Sequence, residues 1–267
     1  MSSWTSTRSA KKRIMPLQPA ITQIENKTPL NCSKDTLCLE NSSERINTFH
    51  SNSDAIITFI IPTIGRHTLI NSIKSIENQT IKNWKAIIIF DGYFPTDTNL
   101  LISLNNDNRF LPIYIDKTGQ KGIVHNSAGK VRNIGMSLVK TEWIGFLDDD
   151  DTLLPTYTSK LLEEVRLNPI ADVIIFRMLE AAKFLITPSL ENSKLVVGNV
   201  GISFCLKTKL VPGFNFEQSE VEDFTLINKL NNSNIKMIIS PYITYLVNST
   251  SSTSNLIHTT GPRITIN

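Results

Sequence analysis

The chain has 267 residues, of which 40% are hydrophobic and 19% are charged. This length and balance suit one ample globular domain, with or without appended segments, and exclude a fibrous or wholly disordered protein. The formal net charge is +3, and residues 1–53 carry all of it because they contain seven Lys or Arg and four Asp or Glu. The neutral remainder gives no electrostatic reason to expect a nucleic acid partner.

Residues 1–53 lack sustained hydrophobic periodicity and are rich in Ser, Asn, Thr and Lys. This composition predicts a flexible polar leader before a folded body at 54–267. The sequence contains no apolar stretch that could span a bilayer and no apolar core of a secretory signal near its start. We therefore expect a soluble, cytoplasmic protein without a transmembrane segment.

Strands and helices are predicted to alternate along the first half of the body. Apolar, β-rich runs predict strands at 56–61, 85–90, 111–115, 143–147 and 172–176. Apolar residues at helical spacing predict helices at 69–76, 129–139 and 155–165, the last with Pro155 in its first turn. Such alternation predicts an α/β fold with a mostly parallel sheet and helices on both faces.

The second half of the body has a less regular pattern. Apolar runs at 196–197, 202–206 and 243–247 and a helix at 219–230 predict a mixed arrangement of elements. Ser219 and Glu222 have the spacing of a capping box, which predicts Ser219 as the N-cap of that helix. Capping does not explain Asp223, which would be a general base if it faced a ligand crevice.

Four consecutive aspartates, 148–151, follow the apolar run at 143–147. If the strand continues through them, Asp148 and Asp150 share one face of the sheet. Crowded carboxylates raise each other's pKa, and a hard divalent cation with a phosphate-bearing ligand commonly neutralises such a cluster. A solvated acidic turn is the simpler alternative. However, the carboxyl end of a core strand is where open α/β sheets bind ligands, so the run predicts a cation site.

Polar residues also follow the first two strands and precede the acidic one. Arg66 lies after the first strand, Asp91 ends the second, and Arg132 lies in the helix before the acidic run. Strand ends in a doubly wound sheet converge on one ligand, so Arg66 is a candidate for a phosphate and Asp91 for a base or ribose. Ordinary turns and a solvated helical arginine remain the simpler alternatives.

Together these segments resemble a GT-A fold glycosyltransferase of family 2. The resemblance covers about residues 55–230. It depends on the order and spacing of Ile60-Ile61-Pro62-Thr63 and Arg66, Ser75-Ile76 with Gln79-Thr80, Ile88-Ile89-Phe90-Asp91-Gly92, Arg132-Asn133-Ile134-Gly135, Phe146-Leu147-Asp148-Asp149-Asp150-Asp151 with Pro155, and Glu222-Asp223 with Leu226.

The resemblance implies an inverting, metal-dependent enzyme. It would transfer a sugar from a nucleotide-diphosphate donor, usually a UDP sugar, to a hydroxyl of a carbohydrate or another acceptor. Residues 54–151 would form the nucleotide-binding half and 152–267 the acceptor-side half. In family terms Asp223 is the catalytic base, and Mn²⁺ or Mg²⁺ binds Asp150 of the D-x-D motif with help from Asp148. The implied nucleotide-binding residues are Pro62, Thr63, Arg66, Asp91, Arg132 and Asp149.

The sequence departs from the family pattern in two places. Phe90 stands where many relatives carry an acid beside Asp91, which bears on recognition of the base. Residues 178–200, which would normally shape the acceptor site, match no motif of the family.

Two other functions fit parts of the same pattern. Asp148-x-Asp150-x-Thr152-Leu153 after an apolar strand resembles the first motif of haloacid-dehalogenase-like phosphatases, with Asp148 as nucleophile. That motif normally opens its domain, whereas here three predicted strands come first. The second alternative is a non-catalytic nucleotide-sugar-binding protein.

Overall fold

The computed structural model of the protein describes residues 43–51, 54–118, 128–191, 195–247 and 261–266. The helices in these ranges are α1 Ser43–His50, α2 Leu69–Glu77, α3 Thr98–Asn106, α4 Ala128–Leu138, α5 Tyr157–Leu167 and α6 Glu222–Asn232. The strands are β1 Ile57–Thr63, β2 Trp84–Asp91, β3 Phe110–Ile115, β4 Trp143–Phe146, β5 Thr152–Leu153, β6 Val173–Glu180, β7 Leu185–Thr187, β8 Phe204–Lys207, β9 Met237–Val247 and β10 Ile264–Ile266.

The strands form one sheet in the order β10-β9-β6-β8-β4-β1-β2-β3, with β5 paired to β9 and β7 paired to β6. Strands β4, β1, β2 and β3 are parallel neighbours. Strand β8 runs antiparallel to both β4 and β6, so β6 points the same way as β4. The predicted parallel sheet with a mixed second half is confirmed.

Helices cover both faces of the central strand β1. The ring of Phe59 packs against Tyr157 of α5, with ring centroids 5.2 Å apart. The next residue, Ile60, contacts Gly135 of α4. Neighbouring side chains of a strand point to opposite faces, so α4 and α5 lie on opposite sides of the sheet, as predicted.

Helix α1 lies in the segment predicted to be a flexible leader, and it is folded. Ile46 and Phe49 are buried in the core. The guanidinium of Arg45 donates hydrogen bonds to the Asn105 side chain and to the Leu104 carbonyl at the end of α3. The predicted boundary at residue 54 is therefore wrong for residues 43–50, because two well-spaced apolar residues suffice to attach this short helix. Residues 1–42 lie outside the described ranges.

Other boundaries differ from the prediction for local reasons. Pro155 was expected inside α5, but the helix begins at Tyr157. The Leu154 amide still donates to the Thr244 carbonyl, and Pro155 and Thr156 form a turn that is closed by a hydrogen bond from the Tyr157 amide to the Leu154 carbonyl. Strand β6 is longer than predicted because its end pairs with β7.

The predicted apolar run at 196–197 is not a strand. Val196 and Val197 are both exposed and lie in a loop. None of the helices in the described parts of the chain is long and apolar enough to cross a membrane.

Gly135 sets the spacing between α4 and the sheet, and its replacement is the first prediction. A Cβ at Gly135 would lie 2.6 Å from Ile60 Cγ2 and 3.0 Å from Ile89 Cδ1. Gly135→Val should therefore lower the free energy of unfolding by about 2 kcal/mol through overpacking. Urea denaturation measures the change.

The matched control is Gly213→Val. The nearest atom to a Cβ at Gly213 is the Leu210 carbonyl oxygen, 3.8 Å away, so this variant should lose less than about 1 kcal/mol. Equal losses in the two variants would contradict close packing of α4 on β1 and β2.

Candidate functional site

The carboxyl ends of β1, β2 and β4 meet at one edge of the sheet. These strands are parallel neighbours, so Thr63, Asp91 and the residues after Phe146 are presented at the same edge. The convergence predicted from the sequence is observed. The segment Pro62-Thr63 ends β1 in register with Ile89 and Phe90 of β2.

Asp149 binds the loop that follows β1. Its two carboxylate oxygens accept hydrogen bonds from Thr63 Oγ1 at 2.6 Å and from Arg66 Nη1 at 2.5 Å. The Gly65 amide in turn donates to Thr63 Oγ1 at 3.0 Å. Gly65 has a φ of +87°, and a Cβ there would collide with the ring of Tyr93, so glycine is required for this turn. The turn directs Arg66 back onto the acidic run.

Arg132 lies at the centre of the site, and its guanidinium contacts three carboxylates. Nη2 binds Asp148 at 2.5 Å, Nη1 forms a short ion pair with Glu222, and Nη1 lies 3.8 Å from Asp223. Burial opposes the charged form, but the three neighbouring carboxylates outweigh it and raise the pKa of Arg132 above its usual value. Arg132 thus joins the acidic strand end to the start of α6.

The capping-box prediction for Ser219 and Glu222 is wrong. Helix α6 begins at Glu222, its N-cap is Val221, and no side chain caps it. The Glu222 carboxylate is buried, where it accepts hydrogen bonds from Arg132 and, at 3.0 Å, from the Gly129 amide. An ion pair with a buried guanidinium is stronger than a capping bond at the surface, so Glu222 turns inward. The sequence analysis did not predict the contact of Glu222 with Arg132. The available signal was that Glu222 lies directly before Asp223.

Asp223 has a partly exposed side chain with one buried carboxylate oxygen. Its Oδ1 is buried and has no hydrogen-bond partner among the described residues. The 3.8 Å separation from Arg132 Nη1 is too long for a hydrogen bond. Burial raises the pKa of Asp223 to about 6, with Asp148 adding to the effect and Arg132 opposing it.

The acidic run forms a turn and does not continue the strand. The Asp151 amide donates to the Asp148 carbonyl at 3.2 Å. Asp151 points into the protein, where it accepts a 2.8 Å hydrogen bond from the Tyr245 hydroxyl, and that hydroxyl accepts from the Asp148 amide. The expected alternation of faces along the run is therefore wrong. Tyr245 holds the turn from β9, a contact that sequence spacing did not indicate.

Asp150 is the most accessible acid of the turn. Its side chain is 34% exposed, and its only ion pair within the described residues is with Arg66 at 3.6 Å. Burial of the carboxylate raises its pKa, as do Asp148 and Asp149, whereas Arg66 lowers it. The charge of Asp150 is thus only partly compensated.

The described residues contain no group of three or more His, Cys, Asp or Glu that could hold a metal. Mg²⁺, however, is commonly held by one or two carboxylates together with the phosphates of a ligand. The hard, undercompensated oxygens of Asp150, with Asp148 two residues before it, fit an ion held in that way and do not fit a closed protein cage.

Asp91 lies at the same edge of the sheet but is bound from the loop after β3. Its two carboxylate oxygens accept hydrogen bonds from the Thr118 amide at 2.6 Å and from the Thr118 hydroxyl at 2.9 Å. Thr118 was not predicted. Each carboxylate oxygen can accept a second hydrogen bond, so Asp91 keeps capacity for a ligand.

The family model described as "Glycosyl transferase family 2" matches residues 58–192, which is half of the chain. The chain belongs to glycosyl transferase family 2. Membership of this family makes the chain a glycosyltransferase and excludes the alternative of a haloacid-dehalogenase-like phosphatase. The match includes the strand ends of β1, β2 and β4 but stops before Glu222 and Asp223.

Curated relatives share part of this region. The chain is 28% identical over 109 residues to the GalNAc(5)-diNAcBac-PP-undecaprenol beta-1,3-glucosyltransferase of Campylobacter jejuni. The aligned residues cover 40% of this chain and 34% of that protein. The chain is 29% identical over 108 residues to the putative glycosyltransferase EpsH of Bacillus subtilis, or 40% of this chain and 29% of that protein. The chain thus matches about a third of the length of these relatives.

Solved structures confirm the predicted GT-A fold. S. aureus TarS 1–349 superposes with a TM-score of 0.59 at 16% identity, over 72% of this chain and 60% of that one. The mannosyltransferase PcManGT from Pyrobaculum calidifontis, in complex with GDP-Man and Mn²⁺, gives a TM-score of 0.52 at 12% identity, over 79% of this chain and 64% of that one.

The burial of Glu222 predicts a pH dependence of stability. Burial raises the pKa of Glu222 from 4.5 to about 7, so the folded state binds more protons than the unfolded state between these values. The contribution of Glu222 to the free energy of unfolding is therefore highest below about pH 4.5, and it falls as the pH rises towards 7. Glu222→Gln should flatten the fall in the free energy of unfolding measured by urea denaturation from pH 5 to 7.

Glu163→Gln is the matched control, because hydrogen bonds from Tyr242 and Lys160 lower the pKa of Glu163. Its titration lies below the tested window, so the slope between pH 5 and 7 should stay as in the wild type. An unchanged slope in Glu222→Gln would mean that Glu222 titrates normally.

Proposed function

We propose that the protein is an inverting glycosyltransferase that moves a sugar from a nucleotide-diphosphate donor, most favourably a UDP sugar, to an acceptor hydroxyl with the help of a divalent cation. Residues 54–151 bind the nucleotide, and 152–267 form the acceptor side. Family membership supports the type of reaction. The geometry around Arg132 supports the assignment of roles within the site.

One observation carries the proposal: Arg132 brings the base candidate and the acidic strand end into one site. Its guanidinium contacts Asp148 after β4 and lies 3.8 Å from Asp223 in the first turn of α6. These acids come from the two halves of the body, where donor and acceptor would meet. The Asp223 side chain is 27% exposed, so an incoming hydroxyl can approach its carboxylate.

The donor would lie along the carboxyl ends of β1, β2 and β4. Thr63 and Asp149 form a hydrogen-bonded unit at the end of β1, and Asp91 retains acceptor capacity at the end of β2. The proposed nucleotide-binding residues are Pro62, Thr63, Arg66, Asp91, Arg132 and Asp149. Complexes of TarS with UDP-GlcNAc and with UDP support a uridine nucleotide.

The cation would be Mn²⁺ or Mg²⁺ held by Asp150 and Asp148 together with the donor diphosphate. The Mn²⁺ in the PcManGT complex supports this choice. When bound, such an ion stabilises the negative charge that develops on the leaving diphosphate. Arg132, already fixed by Glu222, adds a second positive charge beside Asp148.

Asp223 would take the proton of the acceptor hydroxyl. The hydroxyl oxygen forms a bond to the anomeric carbon, the bond from that carbon to the diphosphate oxygen breaks, and the proton passes to the Asp223 carboxylate. A pKa of about 6 makes Asp223 a stronger base than an ordinary aspartate while leaving it mostly ionised at neutral pH. Attack opposite the leaving group inverts the anomeric centre.

The acceptor is proposed at the level of its chemistry, as a hydroxyl of a carbohydrate or a related molecule. The Campylobacter relative is named for an acceptor sugar carried on undecaprenyl diphosphate, which supports a saccharide. Residues 178–191 and 195–200 lie in the acceptor-side half, where the family match ends at residue 192, and they would contribute to acceptor choice.

Replacement of the proposed base, Asp223, should lower turnover while leaving the affinity for UDP nearly unchanged. Asp223→Asn keeps the shape of the side chain but removes its basicity, so turnover should fall by about a hundredfold to ten thousandfold. Affinity for UDP should stay within about twofold. UDP release from UDP sugars with a panel of saccharide acceptors measures the first quantity, and calorimetry measures the second.

Asp97→Asn provides the matched control, because Asp97 caps α3 and asparagine caps a helix equally well. This variant should retain wild-type turnover. Near wild-type turnover in Asp223→Asn would remove Asp223 as the base.

A thermal-shift screen tests the nucleotide and the cation together. UDP, GDP, dTDP and CMP sugars are added to wild type and to Asp150→Ala, each with and without Mn²⁺. A ligand that binds the folded state raises Tm, so the wild type should show its largest shift with a UDP sugar plus Mn²⁺. Asp150→Ala should lose the part of the shift that depends on Mn²⁺.

A larger shift with GDP sugars would overturn the uridine assignment. An Mn²⁺-dependent shift of wild-type size in Asp150→Ala would overturn Asp150 as the metal ligand.

A further inference from the structure

Arg66 lies where a cation at the acidic turn would lie. Its Nη1 binds Asp149 Oδ1 at 2.5 Å and lies 3.6 Å from Asp150 Oδ2. One terminal nitrogen therefore lies within ion-pair distance of two acids of the turn. The proposed metal would use Asp150 from the same turn, so the guanidinium and a divalent ion would be close neighbours.

The two ends of this ion pair differ in exposure. Asp149 is 3% exposed and is also held by Thr63, whereas the Arg66 side chain is 48% exposed. The backbone before Arg66 is fixed by Gly65, but the guanidinium itself is at the surface. The guanidinium can turn towards an incoming ligand, and Asp149 then keeps its hydrogen bond from Thr63. Arg66 can leave the turn while Asp149 stays in place.

The acids of the run are paired with two guanidinium groups. Within the described residues, guanidinium groups of Arg66 and Arg132 are the cations that pair with acids of the run. Arg132 is buried and bound to Glu222, so it cannot leave. Arg66 is therefore the positive charge that can be exchanged for another one.

We propose that Arg66 is a built-in counter-ion that occupies the acidic turn in the absence of ligand and disfavours metal binding until the donor diphosphate arrives. The diphosphate attracts the guanidinium away from the turn, and the divalent ion then takes its place beside Asp150. Metal and nucleotide binding are thereby coupled, with the nucleotide favouring the metal. This inference rests on the proposed function and adds the order in which the site is filled.

The test measures Mn²⁺ binding directly, without turnover, from the electron paramagnetic resonance signal of free Mn²⁺. Wild type should bind Mn²⁺ weakly alone and more tightly with UDP. Arg66→Gln removes the competing charge, so it should bind Mn²⁺ alone about tenfold more tightly than wild type does. The gain in Mn²⁺ affinity on adding UDP should be correspondingly smaller in Arg66→Gln.

Three further variants test whether the charge of Arg66 at the acidic turn causes the weak binding of Mn²⁺. Arg66→Lys keeps the charge and should bind Mn²⁺ alone as weakly as wild type does. Arg166→Gln removes the same charge from an exposed position in the last turn of α5 and should leave Mn²⁺ affinity unchanged. In the Asp150→Ala background, Arg66→Gln should give no increase, because the acid that gains from the substitution is gone. Circular dichroism establishes that each variant is folded.

Two negative results have different meanings. If wild type and Arg66→Gln bind Mn²⁺ with equal affinity, the counter-ion role is refuted while the proposed function stands. If neither protein binds Mn²⁺ even with saturating UDP, the metal of the proposed function is refuted, and the counter-ion role falls with it.

Discussion

The site depends on one buried guanidinium that several carboxylates share. Arg132 lies between Asp148, Glu222 and Asp223, and these acids reach it from a strand end and from a helix that begins 71 positions after the acidic run ends. A buried ion pair is expensive to break, because the partner is left as an uncompensated charge. The position of α6 against the sheet edge is thus fixed electrostatically at the point where chemistry would occur.

Two adjacent acids, Glu222 and Asp223, have different contacts with Arg132. Glu222 takes the strongest contact with Arg132 and is further held by the Gly129 amide. Asp223 is left at a longer distance with an unbonded oxygen. Burial raises the pKa of Asp223 and outweighs the opposing charge of Arg132, so Asp223 keeps the basicity that a proton acceptor needs.

Sequence alone predicted the elements whose signal is local. Strands β1, β2 and β4 are apolar runs and were located to within two residues, and the mostly parallel sheet followed from their alternation with helices. The convergence of the carboxyl ends of these strands followed for the same reason. Helix α1 was missed because its signal is weak: two buried apolar residues, Ile46 and Phe49, lie in a polar segment.

Contacts between distant segments were not predictable. Ser219 and Glu222 fit a capping box by spacing, but a partner 90 positions away, Arg132, decides where Glu222 points. Tyr245 likewise binds Asp151 across 94 positions. Local rules describe what a residue can do with its neighbours along the chain, whereas these side chains respond to charges that only the folded sheet brings near.

Helix α1 has a consequence for handling the protein. Arg45 holds the end of α3, and the Lys85 amine in β2 donates to the Phe49 carbonyl. A chain trimmed to begin at residue 54 would leave that ammonium without its acceptor and uncover the apolar surface beneath the helix. Such a shortened protein would be prone to self-association even though every residue around Arg132 is still present.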